Sequence, residues 1–187
     1  MTTMPAAAGR KPLHTRSITC DAYERDDGLI DLEARLQDTK PLPITLLDQR
    51  VVGPGQPIHQ MRLRLTVDRD RWIVAAGAFS EHFPYPECEG AEASYQRLVG
   101  LRIEPGFTRR VKQLFGGAIG CTHMSELIPV MATVIYQVIW GDSEFDHHEA
   151  SRATASSTPL GGCHGLRLDG QVVRTYFPQA RSQGSKK

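Results

Sequence analysis

Over residues 29–36 the apolar side chains Ile30, Leu32, Ala34 and Leu36 alternate with Asp31, Glu33 and Arg35, the period of two expected of a strand with one wet face. Met61, Leu63, Leu65 and Val67 alternate in the same way with Arg62, Arg64 and Thr66, the arginines supplying the wet face. An earlier strand is predicted over Thr15 to Tyr23. Between it and the Ile30 strand sits Asp27-Gly28, a hairpin signal because such a turn needs positive φ. Further strands are predicted at Ile44 to Gln49 and Trp72 to Ser80, so the first half reads as an antiparallel meander.

After Phe83-Pro84-Tyr85-Pro86 the period lengthens. Ala91 to Val99, Phe107 to Phe115 and Thr122 to Trp140 carry helical spacing, and Leu127, Val130, Met131, Val134, Ile135 and Val138 form the apolar face of the longest segment. Thr122 is predicted as its N-cap with Glu126 in the first turn, and Pro129 is expected to kink it by removing one ladder hydrogen bond. Residues 141–158 read as a polar, mobile connector. A second Asp-Gly pair, Asp169-Gly170, then precedes a strand predicted at Val172 to Phe177. The fold class that follows is α+β: an antiparallel sheet packed against about three helices, with a C-terminal hairpin returning to the sheet. A single domain is expected over residues 12–178, with flexible tails at 1–11 and 179–187 whose small, polar, basic composition cannot offset the entropy of ordering.

Composition narrows the function more than the fold. Lys+Arg 22 against Asp+Glu 21 gives a formal net charge of +1, too little to steer the chain toward nucleic acid or anionic lipid. Apolar runs fall far short of the roughly 20 residues that span a bilayer, and no signal peptide is visible, so a cytoplasmic location is expected. A small molecule or a metal is the expected partner, with a homodimer left open. The four cysteines lack any Cys-x-x-Cys spacing, and in a reducing compartment they are expected as free thiols or ligands.

The residues that point to chemistry are His59, Cys88, Cys121 and His123. Each of the first three follows a Gly/Pro-rich turn, where backbone freedom lets side chains converge, and imidazole nitrogen and thiolate sulfur suit zinc or iron. Glu126, Cys163 and His164 are possible further members. A second reading makes Cys121 a nucleophile at a helix N-terminus, with His123 or His59 as base, in a hydrolase acting on small organic acids or thioesters. A helical Cys121 and His123 would point to different faces, which weighs against it. A third is a binding module without chemistry. Taken singly, Cys20 reads as a small buried hydrophobe, His147-His148 as solvated, and Trp72 and Trp140 as core or rim aromatics.

The motifs "YERDDGLIDLEARLQDTK", "GQPIHQMRLRLTVD", "PYPEC", "LVGLRIEPGF", "GGAIGCTHMSELIPVMAT" and "CHGLRLDGQVVRTYFP" occur in this order and together resemble a bacterial domain-of-unknown-function family, number 2889, across residues 13–178. The resemblance implies a shared fold and no established reaction; Met124 stands where the family form usually has leucine. A more distant likeness is to iron-sulfur scaffold proteins of the NifU type. There too a Gly-x-Pro turn carrying a ligand leads into an alternating strand, a second cysteine follows, and a His/Cys pair opens a long helix. Here His59 replaces a cysteine, and Cys121 and His123 stand in reversed order about Thr122. That likeness implies a metal or iron-sulfur unit at His59, Cys88, Cys121 and His123.

Overall fold

The predicted meander forms one four-stranded antiparallel sheet in the order β1 (Thr15–Glu24), β2 (Ile30–Thr39), β5 (Pro57–Val67), β6 (Ile73–His82). Between β2 and β5 the chain makes a separate small ribbon, β3 (Ile44–Thr45) with β4 (Val51–Val52). The computed structural model describes residues 8–142 and 160–178, and the chain divides into two compact units, Met1–Val134 and Ile135–Lys187.

Register explains where the core of the first unit lies. Alternate residues line up in rows across three strands: Ile18, Leu36 and Met61; Cys20, Ala34 and Leu63; Ala22, Leu32 and Leu65. Leu32, Leu36, Met61 and Leu65 are all 0% exposed, and burying each contributes on the order of 1.5–3 kcal/mol. The row members on β1 are less covered, because it is an edge strand; Ile18 is 37% exposed and Cys20 half-buried. At the β1–β2 turn Gly28 takes φ 78°, and the Asp27 carboxylate accepts the Leu29 N–H at 3.2 Å, as the Asp-Gly pair predicts. The strand expected to run from Ile44 to Gln49 stops at Thr45. Leu46 N–H donates to the Arg50 carbonyl at 2.8 Å and Gln49 turns to φ 66°, so Leu46 to Arg50 form the ribbon's turn.

The helical layer of this unit begins with a 3-10 stretch, Pro86–Leu98, packed against β6. Tyr95 and Leu98, three apart and therefore on one side of a three-residue turn, are its buried residues. Helix α1 (Phe107–Phe115) spans the residues its spacing predicts and buries Phe107, Val111 and Phe115 at four-residue steps. Helix α2 (Thr122–Asp142) runs on through Pro129. Its buried face is Met124, Leu127, Ile128, Met131 and Ile135; Val130 and Val134, expected there, are only half-buried.

In the second unit the predicted hairpin and its strand at Val172 to Phe177 are not found. Gln171–Tyr176 form helix α3, preceded by Gly170 at φ −76°, where a two-residue hairpin would need a positive angle. Val173 and Phe177 are buried while Val172 and Tyr176 are exposed, so the four-residue spacing decided the structure over the alternation. The connector with His147-His148 and the residues 179–187 of the C-terminal tail lie outside the described residues, apart from the end of α2 at Gly141 and Asp142. Among the described residues no helix is long and apolar enough to cross a membrane.

Candidate metal centre

One row of the sheet breaks the apolar pattern. Beside Ile18, Leu36 and Met61 the next row is Arg16, Asp38 and His59, each directly opposite its neighbour on β1, β2 and β5. The Asp38 side chain continues the inward phase of Leu32, Ala34 and Leu36 and is 1% exposed. A lone carboxylate there would be costly, so it is met by donors. Arg16 forks onto it, Nε to Oδ1 at 2.8 Å and Nη2 to Oδ2 at 2.7 Å, and His14 Nε2 lies 3.0 Å from Oδ1. Burial alone would push the Asp38 pKa up; the hydrogen bonds from Arg16 and His14 outweigh it and hold the group well below the usual carboxylate range.

The start of α2 brings the fourth side chain. After α1 the chain turns through Gly117 at φ 64° and then passes so close to the helix end that a Cβ on Gly120 would stand 2.8 Å from both the Cβ and the carbonyl oxygen of Phe115. Cys121 occupies the cap position, its carbonyl accepting the Ser125 N–H at 2.9 Å. Thr122 is thus the first helical residue, where the sequence pattern makes it the cap. The fully buried Tyr95 fixes this corner: its hydroxyl donates to the Cys121 carbonyl at 2.8 Å, accepts the Cys121 N–H at 3.0 Å and meets Ser125 Oγ at 2.9 Å. Glu126, expected in the first turn, lies beyond it and binds Arg16 Nη1 at 2.5 Å instead.

Held this way, His123 stacks on His59 with ring centroids 3.9 Å apart and planes inclined by 26°. Both rings present a nitrogen to the same carboxylate oxygen: His59 Nδ1 is 3.2 Å and His123 Nε2 3.5 Å from Asp38 Oδ2. The three donor atoms lie within 4.8 Å of one another. His59 Nδ1 is buried and, despite the short separation, makes no well-formed hydrogen bond. Donor atoms bonded at about 2.0–2.2 Å to one tetrahedral zinc stand about 3.3–3.5 Å apart, so the two distances to Asp38 Oδ2 match shared coordination. Both imidazole pKa values lie below the ordinary 6.5. For His59 the main cause is burial, followed by His123; for His123 it is burial, followed by Arg16. Low values keep the rings neutral, the form that ligates a metal.

Of the four residues read from the sequence, His59 and His123 come together, and Asp38 completes the group. Cys121 touches it from outside, its Sγ 3.8 Å from His123 Nδ1, the nitrogen turned away from Asp38. Cys88 is half-buried at the start of the 3-10 stretch, its thiol pKa raised by burial, and belongs to no such group among the described residues. Cys163 and His164, both exposed, lie in the second unit. The pattern had flagged neither Asp38 nor its donors His14 and Arg16, although an acidic residue on the inward phase of an apolar strand was a legible sign. A cleft of about 300 Å³ opens where Val52, Pro57, Ile58, Glu81, His82 and Phe83 meet, and none of the three donor residues lines it.

The sequence pattern of a family described as "Protein of unknown function (DUF2889)" matches residues 14–137. The chain belongs to this family. Its match takes in His14, Arg16, Asp38, His59 and His123, and stops before the Cys163 motif that the resemblance had included. No curated protein and no solved structure matches the chain, so the likeness to NifU-type scaffolds gains no support from a known fold.

Proposed function

We propose that this family-2889 protein binds one divalent transition-metal ion, zinc or iron, through His59 Nδ1, His123 Nε2 and Asp38 Oδ2. The observation that carries the reading is the buried, unpartnered His59 Nδ1 facing the same carboxylate oxygen as His123 Nε2. Two imidazoles and one carboxylate are the donor set of many mononuclear zinc and non-haem iron centres, which keep further positions open for water or substrate. Without a thiolate in the group, a single ion fits better than an iron-sulfur unit. Arg16 and His14 then hold Asp38 at Oδ1, Arg16 also donating to Oδ2, and Cys121 at His123 Nδ1 becomes an outer partner rather than a ligand. Elemental analysis of untagged protein tests this directly. About one equivalent of zinc or iron, retained through gel filtration and lost in His59→Ala, is expected; wild-type protein that takes up no metal on reconstitution sinks the proposal.

One observation favours a second reading. Cys121 Sγ, the two ring nitrogens of His123 and Asp38 Oδ2 follow one another in contacts of 3.8 and 3.5 Å, the order of groups that activates a cysteine nucleophile. The objection that Cys121 and His123 face apart falls away because Cys121 sits before the helix. Metal-free protein labelled by iodoacetamide at Cys121 much faster than at Cys20, Cys88 and Cys163 would support that reading. Slow labelling removes it.

A further inference from the structure

We infer that the loaded centre takes a small carboxylate as its exogenous ligand, with one oxygen on the metal and the other on Arg16. The inference rests on the metal reading above. Charge is its first support. Arg16 offsets one of the two carboxylates it touches, Asp38 and Glu126, and leaves one net negative charge around two neutral imidazoles. A divalent ion reverses this to one net positive charge, beside coordination positions that no protein donor of the group fills. An incoming anion lowers that charge, also where it takes the place of Glu126 on Arg16; a neutral ligand does not.

Geometry is the second support. A guanidinium carries five N–H donors, and Arg16 commits three: Nε and Nη2 to Asp38, Nη1 to Glu126. The Asp38 fork is held against a buried group, but the Glu126 contact joins side chains that are 33% and 43% exposed, a pair easily exchanged in water. Glu126 is thus a carboxylate of the chain already resting on the outer edge of Arg16, which itself sits on the carboxylate that would bind the ion. A free carboxylate that displaces it gains the metal as well as the guanidinium. Glu126 competes for Arg16 and should weaken that ligand.

Cobalt(II) and acetate provide the test, with acetamide as the uncharged control. Full-length protein is loaded with cobalt(II) and the visible absorption followed as acetate is added. Wild type is expected to show a saturable change with acetate and none with acetamide at the same concentration. Arg16→Gln should weaken acetate binding at least tenfold, Arg16→Lys less, and Glu126→Gln should tighten it several-fold, with cobalt affinity and the melting temperature measured for each. Cobalt-loaded Arg16→Gln that binds acetate as well as wild type overturns the inference, as does a Glu126→Gln protein with weakened acetate binding. If Arg16→Gln does not fold, the Arg16→Lys and Glu126→Gln results decide it. Wild-type protein that binds no cobalt overturns the metal reading itself, and this inference with it.

Discussion

His59 and His123, 64 residues apart in the chain, stack at 3.9 Å and aim one ring nitrogen each at Asp38 Oδ2. A purely structural pair would survive loss of either ring with a modest change in packing; a shared ion would not. His59→Ala and His123→Ala are each expected to lower zinc affinity by more than about 100-fold, beyond the 10–100-fold typical of an outer partner. Cys121→Ala should stay within that lower range and Cys88→Ser should have no effect. Competition against a chromophoric chelator measures all four. If Cys88→Ser falls as far as the histidine variants, the ion sits elsewhere.

The depressed histidine pKa values fix the sign of the pH dependence. Below about pH 6.5 the imidazoles of the unfolded chain take up protons that His59 and His123 in the folded protein refuse, which favours the unfolded state. Their contribution to stability is therefore complete above pH 6.5 and is lost as pH falls toward their lowered values. Asp38 adds a second loss: its folded pKa is also depressed, so stability declines again below about pH 4 as the unfolded carboxylate protonates first. Urea midpoints of metal-free protein at pH 7.5, 6 and 5 should fall in that order, and the fall between pH 7.5 and 5 should shrink in the double variant His59→Gln/His123→Gln. A midpoint that rises on acidification in this range contradicts the assignment.

Tyr95 is coupled to the centre without touching it. Its hydroxyl is buried and binds both backbone groups of Cys121; Tyr95→Phe strands the Cys121 N–H at the beginning of α2, while the carbonyl keeps the Ser125 N–H. The expected cost is about 1–3 kcal/mol, with no cavity because the ring remains against Phe115. Since His123 depends on that turn, zinc affinity should drop alongside stability. Chemical denaturation and the chelator assay read the two effects separately; unchanged values in both would mean that the corner is held by other contacts.

Much of the sheet was legible because one face of β2 and β5 is buried and the other is wetter, which prints the alternation directly onto the sequence. The same pattern, followed two residues past Leu36, reaches Asp38, and there an inward carboxylate is visible as an exception. What it cannot show is the partner across the sheet: that Asp38 pairs with Arg16 and His59 depends on a register set by the Asp27-Gly28 turn and on the β2–β5 pairing, which shifts only beyond it, at Asp38/Thr39. His123 was legible as a candidate for a local reason, the glycine run before a long helix. Cys88 looked equally well placed behind its prolines, but the 3-10 stretch that follows carries Tyr95 and Leu98 into the core and leaves the thiol outside the group. The C-terminal strand failed because Val172 to Phe177 fit both periods, and only packing at Val173 and Phe177 chose between them.

Gly120 is the residue on which the approach of His123 to the sheet depends. Its backbone is extended, at φ −125°, an angle open to any residue, so conformational freedom is not what glycine provides here. Space is: an alanine Cβ would stand 2.8 Å from the Phe115 Cβ and from the Phe115 carbonyl oxygen, and the second of these is backbone at the end of α1 and cannot swing aside. Relief requires α1 and the start of α2 to separate, which loosens the Tyr95–Cys121 hydrogen bonds and carries His123 away from His59. Gly120→Ala is therefore expected to cost about 1–3 kcal/mol, the range of an overpacked core, and to lower zinc affinity by more than the destabilisation alone predicts. Gly90→Ala is the control, because a Cβ there meets nothing within 4 Å. Differential scanning calorimetry with and without zinc separates the outcomes. A Gly120→Ala protein that melts like wild type and gains the same zinc-dependent increase would show that the corner tolerates the extra carbon.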